Sequence, residues 1–258
     1  MSSYIGRHAE LYDTLYAEKD YASEASFIHN CLMQYGRPES NHILEIACGT
    51  GNHSFILEKF GYQIDAFDYS PDMIDRANRK KAEQASPTLF SVGDMRDTEN
   101  FQKKYDSVLC LFDSIGYVQT NASVKKVLDN VSNCLLPGGL FIMEFWHAAA
   151  MIKNYDPLRI KRFHLAENHE LLRISETSID VEKQVCSVKY TLYEFLNDSQ
   201  YTKIEETQVN RFFLCAEMLG LLEHSGLEPL HIFDGYSHST KVDENSFHVV
   251  MICKKTME

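Results

Sequence analysis

From residue 42 to residue 145, short apolar runs alternate with segments whose apolar positions recur at helical spacing. Runs of this kind suit strands of a parallel sheet buried on both faces, and the intervening helices are the crossovers such a sheet requires. Strands are predicted over 42–47, 62–67, 88–92, 107–111 and 140–145, with helices from about 52 to 60, from Ser70-Pro71 onward and over 123–135. Ser70 suits an N-cap, and Pro71 a first helical turn, where its missing N–H costs nothing. Pro137-Gly138-Gly139 reads as a hard turn into the fifth strand. Residues 1–36 carry tyrosines at 4, 12, 16, 21 and 35 and helix-like spacing around 22–28, which predicts two helices before the first strand.

Beyond Trp146 the rhythm changes. Segments 171–181, 184–196 and 201–213 alternate with period two, clearest at Val188, Tyr190 and Leu192, predicting an antiparallel meander inserted in the α/β frame. A helix over 216–225 stops at Gly226, and strands over 228–233 and 247–254 close the chain as a hairpin with a long loop. The chain therefore divides into a helical lid (1–40), a doubly wound α/β core (41–155), the β insertion (156–212) and a closing helix and hairpin (213–258). The meander's two faces suit the wall of a ligand pocket or the pairing of two subunits in a homodimer.

Composition adds exclusions. The chain has 258 residues and is 44% hydrophobic, enough for one α/β domain with a modest insertion. Its net charge of −12 repels phosphate backbones, which argues against nucleic acid as the partner while leaving room for a nucleotide-bearing small molecule. Apolar stretches such as 249–253 fall far short of the roughly 20 residues that span a bilayer, so no membrane partner is expected. The N-terminus shows no basic segment followed by an apolar core. The seven cysteines form no Cys-x-x-Cys pair and mostly lie in apolar runs; buried reduced thiols and a cytoplasmic location are the expectation. No metal is expected: among the eleven histidines, His164 and His169 are spaced poorly for one helical face and read as surface residues.

Three segments carry chemistry. In Leu44-Glu45-Ile46-Ala47-Cys48-Gly49-Thr50-Gly51-Asn52-His53 a buried strand enters a glycine turn that opens a helix. Gly49 and Gly51 let the backbone approach a ligand, and the free N–H groups of the helix start favour a carboxylate or other anion. A plain tight βα turn would look the same. Asp68, at the end of the second predicted strand, can accept hydrogen bonds from both hydroxyls of a ribose, or simply help to cap the next helix. After the third strand comes Gly93-Asp94-Met95-Arg96, where Asp94 can accept from an adenine amino group and Met95 can pack on the ring. A nicotinamide cofactor fits less well, because Ser54 occupies the third glycine position of the dinucleotide fingerprint.

These segments, with Pro-Gly-Gly before the fifth strand, resemble class I S-adenosylmethionine-dependent methyltransferases. That resemblance implies a Rossmann-like, mostly parallel seven-stranded sheet, S-adenosylmethionine as cofactor and S-adenosylhomocysteine as product. A closer similarity, over about residues 8–155, is to the N,N-dimethyltransferases of nucleotide-linked amino sugars. It rests on Ala9-Glu10-Leu11-Tyr12-Asp13, on Ala47-Cys48-Gly49-Thr50-Gly51 with His53, on Gly93-Asp94-Met95-Arg96-Asp97, on Ser114-Ile115-Gly116, and on Glu144 with Trp146. The family implies that Gly49 and Gly51 contact the methionine part, Asp68 the ribose, and Asp94 with Met95 the adenine, with Glu45, Ala47, Tyr69, Met73 and Leu111 also among the cofactor-binding residues. Phe112 would lie close to the sulfonium and the acceptor, with Tyr12 and Tyr16 closing over the cofactor or merely packing their helix.

The chain also departs from that pattern. Asp113-Ser114-Ile115-Gly116-Tyr117 places Tyr117 where the sugar enzymes resemble Ser-Ser-Ile-Gly-His, and Glu244-Asn245 stands where they place a basic residue suited to a diphosphate. Tyr117, Asp113 and His147 are the candidates to orient or deprotonate a small-molecule acceptor; each could equally be a rim residue. The expected reaction is an in-line methyl transfer to an amine, amino-sugar-like. The alternatives are a hydroxyl acceptor, whose proton demands a stronger base, and a cofactor-binding regulatory protein without turnover.

Overall fold

The computed structural model describes residues 4–166, 169–197 and 200–256. Two helices, α1 (Arg7–Leu15) and α2 (Tyr21–Tyr35), precede an alternating core. The core runs β1 (His42–Ile46), α3 (Asn52–Lys59), β2 (Gln63–Asp68), α4 (Pro71–Gln84), β3 (Leu89–Val92), β4 (Tyr105–Cys110), α5 (Asn121–Cys134) and β5 (Leu135–Trp146). After α6 (Ala148–Asn154) come the insertion strands β6 (Leu158–Ala166), β7 (His169–Asp180), β8 (Val185–Asn197) and β9 (Gln200–Arg211). The chain closes with α7 (Cys215–Leu222), β10 (Leu227–Asp234) and β11 (His248–Lys255).

The main sheet has seven strands in the order β10-β11-β5-β4-β1-β2-β3. The five from β3 to β5 are parallel, and β11 runs antiparallel between β5 and β10. Alternate side chains of each central strand enter opposite cores. Leu44, Ile46, Val108 and Cys110 pack with α5 and α7, whereas Ile43, Ile64, Leu109 and Leu111 pack with α2 and α3. Because β1 lies between β2 and β4, strand order reverses there and a crevice opens at the strands' carboxyl ends, the usual ligand site of such sheets.

Ser70 caps α4 by accepting from Met73 N at 3.3 Å, with Pro71 opening the helix. Pro137-Gly138-Gly139 is not a turn before β5 but a bulge within it. Leu135 pairs with Tyr105 and Leu140 with Ser107, and Gly138 takes φ +75° to absorb the extra residues. The insertion is a separate antiparallel sheet, β6-β7-β8-β9, with one strand more than predicted. Helix α7 ends at Leu222, three residues short of the predicted stop, and the chain turns through to Gly226. All seven cysteines are free and six are buried. Among the described residues no helix is long and apolar enough to cross a membrane.

Candidate active site

A cavity of about 820 Å³ occupies the crevice at the ends of β1, β2, β3 and β4. Such a volume lies within the range that holds a cofactor-sized ligand. Its walls include Tyr12, Glu45, Ala47, Gly49, Asp68, Tyr69, Met73, Asp94, Met95, Leu111 and Phe112. The chain therefore gathers residues spread over a hundred positions into one pocket.

The glycine turn has two parts. Gly49 takes φ +57°, and a Cβ there would project between Met73 Cε at 3.3 Å and Tyr12 Oη at 3.8 Å, both cavity atoms. Absence of a side chain thus leaves a cradle for a ligand. Gly51 does not reach the cavity: it takes φ +78°, and its missing Cβ makes room for Phe90, 2.7 Å from the ideal position. Its role is to let α3 start against β3. Ala47 also adopts a left-handed backbone at φ +56°.

Asp68 lies beneath this turn. Its Oδ2 accepts from Gly49 N and its Oδ1 from Ser70 N, each at 2.8 Å. Burial pushes its carboxyl above the ordinary range, and these two donors pull it back. Two of about four lone-pair directions remain for ligand hydroxyls. Glu45, 2% exposed, accepts from Ser54 Oγ, with His53 Nδ1 at 3.8 Å. Asp94 is already engaged: Arg96 donates from Nε at 2.9 Å and from its backbone N at 2.8 Å, and its carboxyl is held low despite partial burial. Any adenine contact must share that carboxylate. Such a donor and acceptor set, with a side-chain-free cradle, fits an adenosyl ligand bearing a methionine tail.

Tyr16 does not line this cavity. It faces a second chamber of only about 40 Å³, together with Tyr4, Phe112, Asp113, Tyr117, Trp146, Val188, Tyr190, Gln208 and Asn210. Tyr4, Phe112 and Tyr117 are common to both spaces, so the two adjoin. The Tyr16 ring meets Phe112 edge-on at 5.1 Å, which turns it toward the chamber rather than the cofactor cavity. Phe112 and Asp113 are consecutive non-glycine residues with φ +54° and +57°, a strained stretch of the kind that collects at functional sites. Phe112 N donates to Glu144 Oε2 at 2.6 Å, which fixes the stretch.

His147 lines neither space. Its backbone N donates to Phe247 O at 2.9 Å, it bridges Phe213, and its 7% exposed ring is enclosed where β5 passes into α6. A residue unforeseen by sequence takes the place by Asp113: His248, whose Nδ1 stands 2.9 Å from Asp113 Oδ2 and 3.3 Å from Glu144 Oε1. Tyr236 Oη also donates to Glu144, at 2.7 Å. The Asp113 charge foremost, with Glu144, raises the imidazole's affinity for its proton to about 11. Tyr4, Tyr190, Gln208 and Asn210 were likewise missed, since no local motif marks them.

A family model described as "Methyltransferase domain" matches residues 43–139. The chain is 37% identical over 142 residues to the dTDP-3-amino-3,4,6-trideoxy-alpha-D-glucopyranose N,N-dimethyltransferase of Streptomyces venezuelae, covering 54% of this chain and 57% of that one. It is 26% identical over 232 residues to the dTDP-4-amino-2,3,4,6-tetradeoxy-D-glucose N,N-dimethyltransferase of Saccharopolyspora spinosa, covering 88% and 87%. The fold is shared with an S-adenosylmethionine-dependent methyltransferase structure from Clostridium acetobutylicum, at TM-score 0.81 and 22% identity, covering 97% and 98%. The sheet order and crevice define a Rossmann-like α/β protein of the class I type. Within that type, the chain is similar to methyltransferases along most of its length.

Proposed function

We propose that this chain is an S-adenosylmethionine-dependent methyltransferase that acts on the nitrogen of a small amine, of amino-sugar type, held where the 820 Å³ cavity meets Phe112 and Tyr117. One observation carries the reading: a buried carboxylate, Asp113, lines a small aromatic side space of about 40 Å³ that shares Phe112 and Tyr117 with the cofactor cavity. Aromatic faces and a carboxylate suit an amine and its methylated ammonium product. The names of the sugar N,N-dimethyltransferase relatives point the same way.

When bound, S-adenosylmethionine supplies an electrophilic methyl on sulfur, taken by in-line displacement to leave S-adenosylhomocysteine. The protein's own part is positioning and proton handling. Asp68 accepts from the ribose hydroxyls, and Gly49 and Ala47 leave room for the methionine tail near Glu45. Asp94 and Met95 meet the adenine, with Tyr12, Tyr69, Met73, Leu111 and Phe112 packed around the ligand. Tyr117 orients the acceptor: its hydroxyl is fixed by donating to Gln208 Oε1 at 3.1 Å. The bound sulfonium would give its methyl to the nitrogen lone pair and keep the electron pair of the broken C–S bond. The proton then lost by nitrogen goes to the Asp113 carboxylate, whose affinity for it burial raises to about 6.

The test is acceptor profiling with methyl-labelled cofactor, pairing each amine (dTDP-amino sugars included) with its hydroxyl counterpart. Label should reach the amines. Label arriving only on hydroxyl or carboxyl compounds overturns the reading.

A further inference from the structure

The cofactor motifs account for only part of the 820 Å³ cavity's wall. The remainder comes from three stretches that no motif marks: Tyr4; Tyr117, Gln119, Thr120 and Ser123 where the chain enters α5; and Thr207 on β9. Gln119 is a non-glycine residue at φ +56°, fixed because Arg211 Nη1 donates to its carbonyl at 2.9 Å and its own Nε2 donates to Val209 O at 3.2 Å. Strain held in this way collects at functional sites. Thr120 closes the start of α5 by accepting from Ser123 N at 3.1 Å, and its hydroxyl donates to Ser123 Oγ at 2.9 Å. This wall therefore offers a ligand hydroxyls, a carboxamide and phenols, all of them neutral.

The charges point the same way. Among the described residues the cavity wall carries three carboxylates, Glu45, Asp68 and Asp94, against one guanidinium, Arg96, which Asp94 holds at 2.9 and 3.0 Å. Asp113 adds a fourth carboxylate in the side space. His53, the remaining basic side chain of the wall, is bound to Glu24 at 2.7 Å. Cations close behind the wall are engaged too: Lys80 and Arg76 with Asp13, at 3.2 and 2.9 Å, and Lys19 with Glu24, over the Phe112 ring. Arg173 stands 5.9 Å from the Tyr16 and Tyr190 rings and lines neither space. At the Glu244-Asn245 corner Lys153 is likewise taken, 3.3 Å from Glu244 and 3.0 Å from Asn245.

A phosphoryl group placed here meets like charge and no free cation, whereas an amine that travels as its ammonium is drawn in. The net charge of −12 carries the same preference to longer range. Resting on the reading of an amine acceptor, we infer that the rest of that acceptor is uncharged and rich in hydroxyl or amide groups, a free amino sugar or its neutral glycoside, and that a nucleotide-linked sugar is rejected. Such a preference separates this chain from the relatives named for dTDP-linked sugars.

The full chain, saturated with S-adenosylhomocysteine, is titrated by calorimetry with methyl 3-amino-3-deoxyglucoside and with the same amino sugar linked to dTDP. Each titration is run at about 50 and about 300 mM NaCl, a span over which salt screens exposed charges. The glycoside should bind about tenfold tighter or more, and the higher salt should weaken its binding while strengthening that of the nucleotide-linked sugar. Thr207 is exposed on β9 and takes no part in the chemistry, so Thr207→Lys puts one cation on this wall without disturbing the core. It should tighten the nucleotide-linked sugar about threefold to fivefold, the worth of one exposed charge pair, with affinity for S-adenosylhomocysteine unchanged. Tighter binding of the nucleotide-linked sugar by the parent, or no response of that sugar to Thr207→Lys, overturns the neutral-acceptor assignment and leaves the amine reading standing. Binding of neither sugar overturns both.

Discussion

His248 Nδ1 lies 2.9 Å from Asp113 Oδ2 and 3.3 Å from Glu144 Oε1, so one imidazole serves two carboxylates that are themselves almost wholly buried. Two such carboxylates cannot both ionise at this range without a cation between them. His248 supplies it, with Lys19 adding positive charge nearby and Tyr236 a hydrogen bond to Glu144. The consequence is that Asp113, pushed up by burial and by Glu144, keeps a proton affinity near neutrality at the chamber wall.

This cluster predicts a pH-dependent stability. The Asp113 charge raises His248 from 6.5 to about 11, so its stabilising share is complete below about 6.5 and is lost as pH rises toward about 11. His248→Gln removes that share, while Glu144, Asp113, Lys19 and Tyr236 remain to face the site. The melting-temperature gap between parent and variant should be widest near pH 6.5 and narrow steadily toward pH 10. A gap that stays constant with pH would show that His248 stabilises by packing and not by charge.

The two turn glycines should separate stability from binding. Alanine at either position pays for a left-handed backbone, about 1–2 kcal/mol. At Gly51 the new Cβ also meets the Phe90 ring at 2.7 Å, so Gly51→Ala should cost more stability yet leave ligand affinity the less changed of the two. At Gly49 it enters the cradle between Met73 and Tyr12, so Gly49→Ala should cost less stability and more affinity for S-adenosylhomocysteine. Thermal melts and calorimetry on both variants check this; the reverse ranking would assign the two roles wrongly.

That division marks how far the sequence could be read. The central strands β1, β4 and β5 announce themselves because both faces are buried, the exposed edge strand β3 only through its place in the alternation, and the cofactor side follows because its residues sit in three short motifs at strand ends. Strand β6 escaped because it is an edge strand whose Leu158 and Ile160 point to solvent while Phe163 lies on the other face, which blurs the alternation. The chamber escaped for a different reason. Asp113 meets His248 across 135 residues and Tyr117 meets Gln208 across 91, pairings that depend on how the insertion folds back over the sheet. His147 was misplaced because being next to Trp146 in sequence says nothing about which side of β5 a ring takes. The Pro-Gly-Gly bulge shows the same limit, since a turn and a bulge use the same residues.

Asp68 ties the turn to the ligand, so its loss should register twice. Asp68→Ala strips acceptors from Gly49 N and Ser70 N, each at 2.8 Å, as well as from the ribose. We expect at least tenfold weaker binding of S-adenosylhomocysteine by calorimetry together with a lower melting temperature. Unchanged affinity beside a lowered melting temperature would confine Asp68 to holding the turn.

Tyr117 gives the sharpest separation of binding from chemistry. Its hydroxyl donates to Gln208 Oε1 at 3.1 Å, which leaves an oxygen lone pair to accept from an amine N–H at the cavity wall. Burial pushes its ionisation far above neutrality, so it acts as an oriented neutral phenol and not as a base. Tyr117→Phe keeps the ring that borders the cofactor cavity while deleting the oxygen that faces the acceptor. Affinity for S-adenosylhomocysteine should therefore stay within about twofold, and kcat/KM for the amine should fall about tenfold or more, the worth of one well-placed polar contact in a buried site. Gln208→Leu, which removes the partner that aims the hydroxyl, should lower turnover in the same direction but less. Equal losses in cofactor affinity and turnover would mean that Tyr117 supports the wall shared by the two spaces and takes no part in presenting the acceptor.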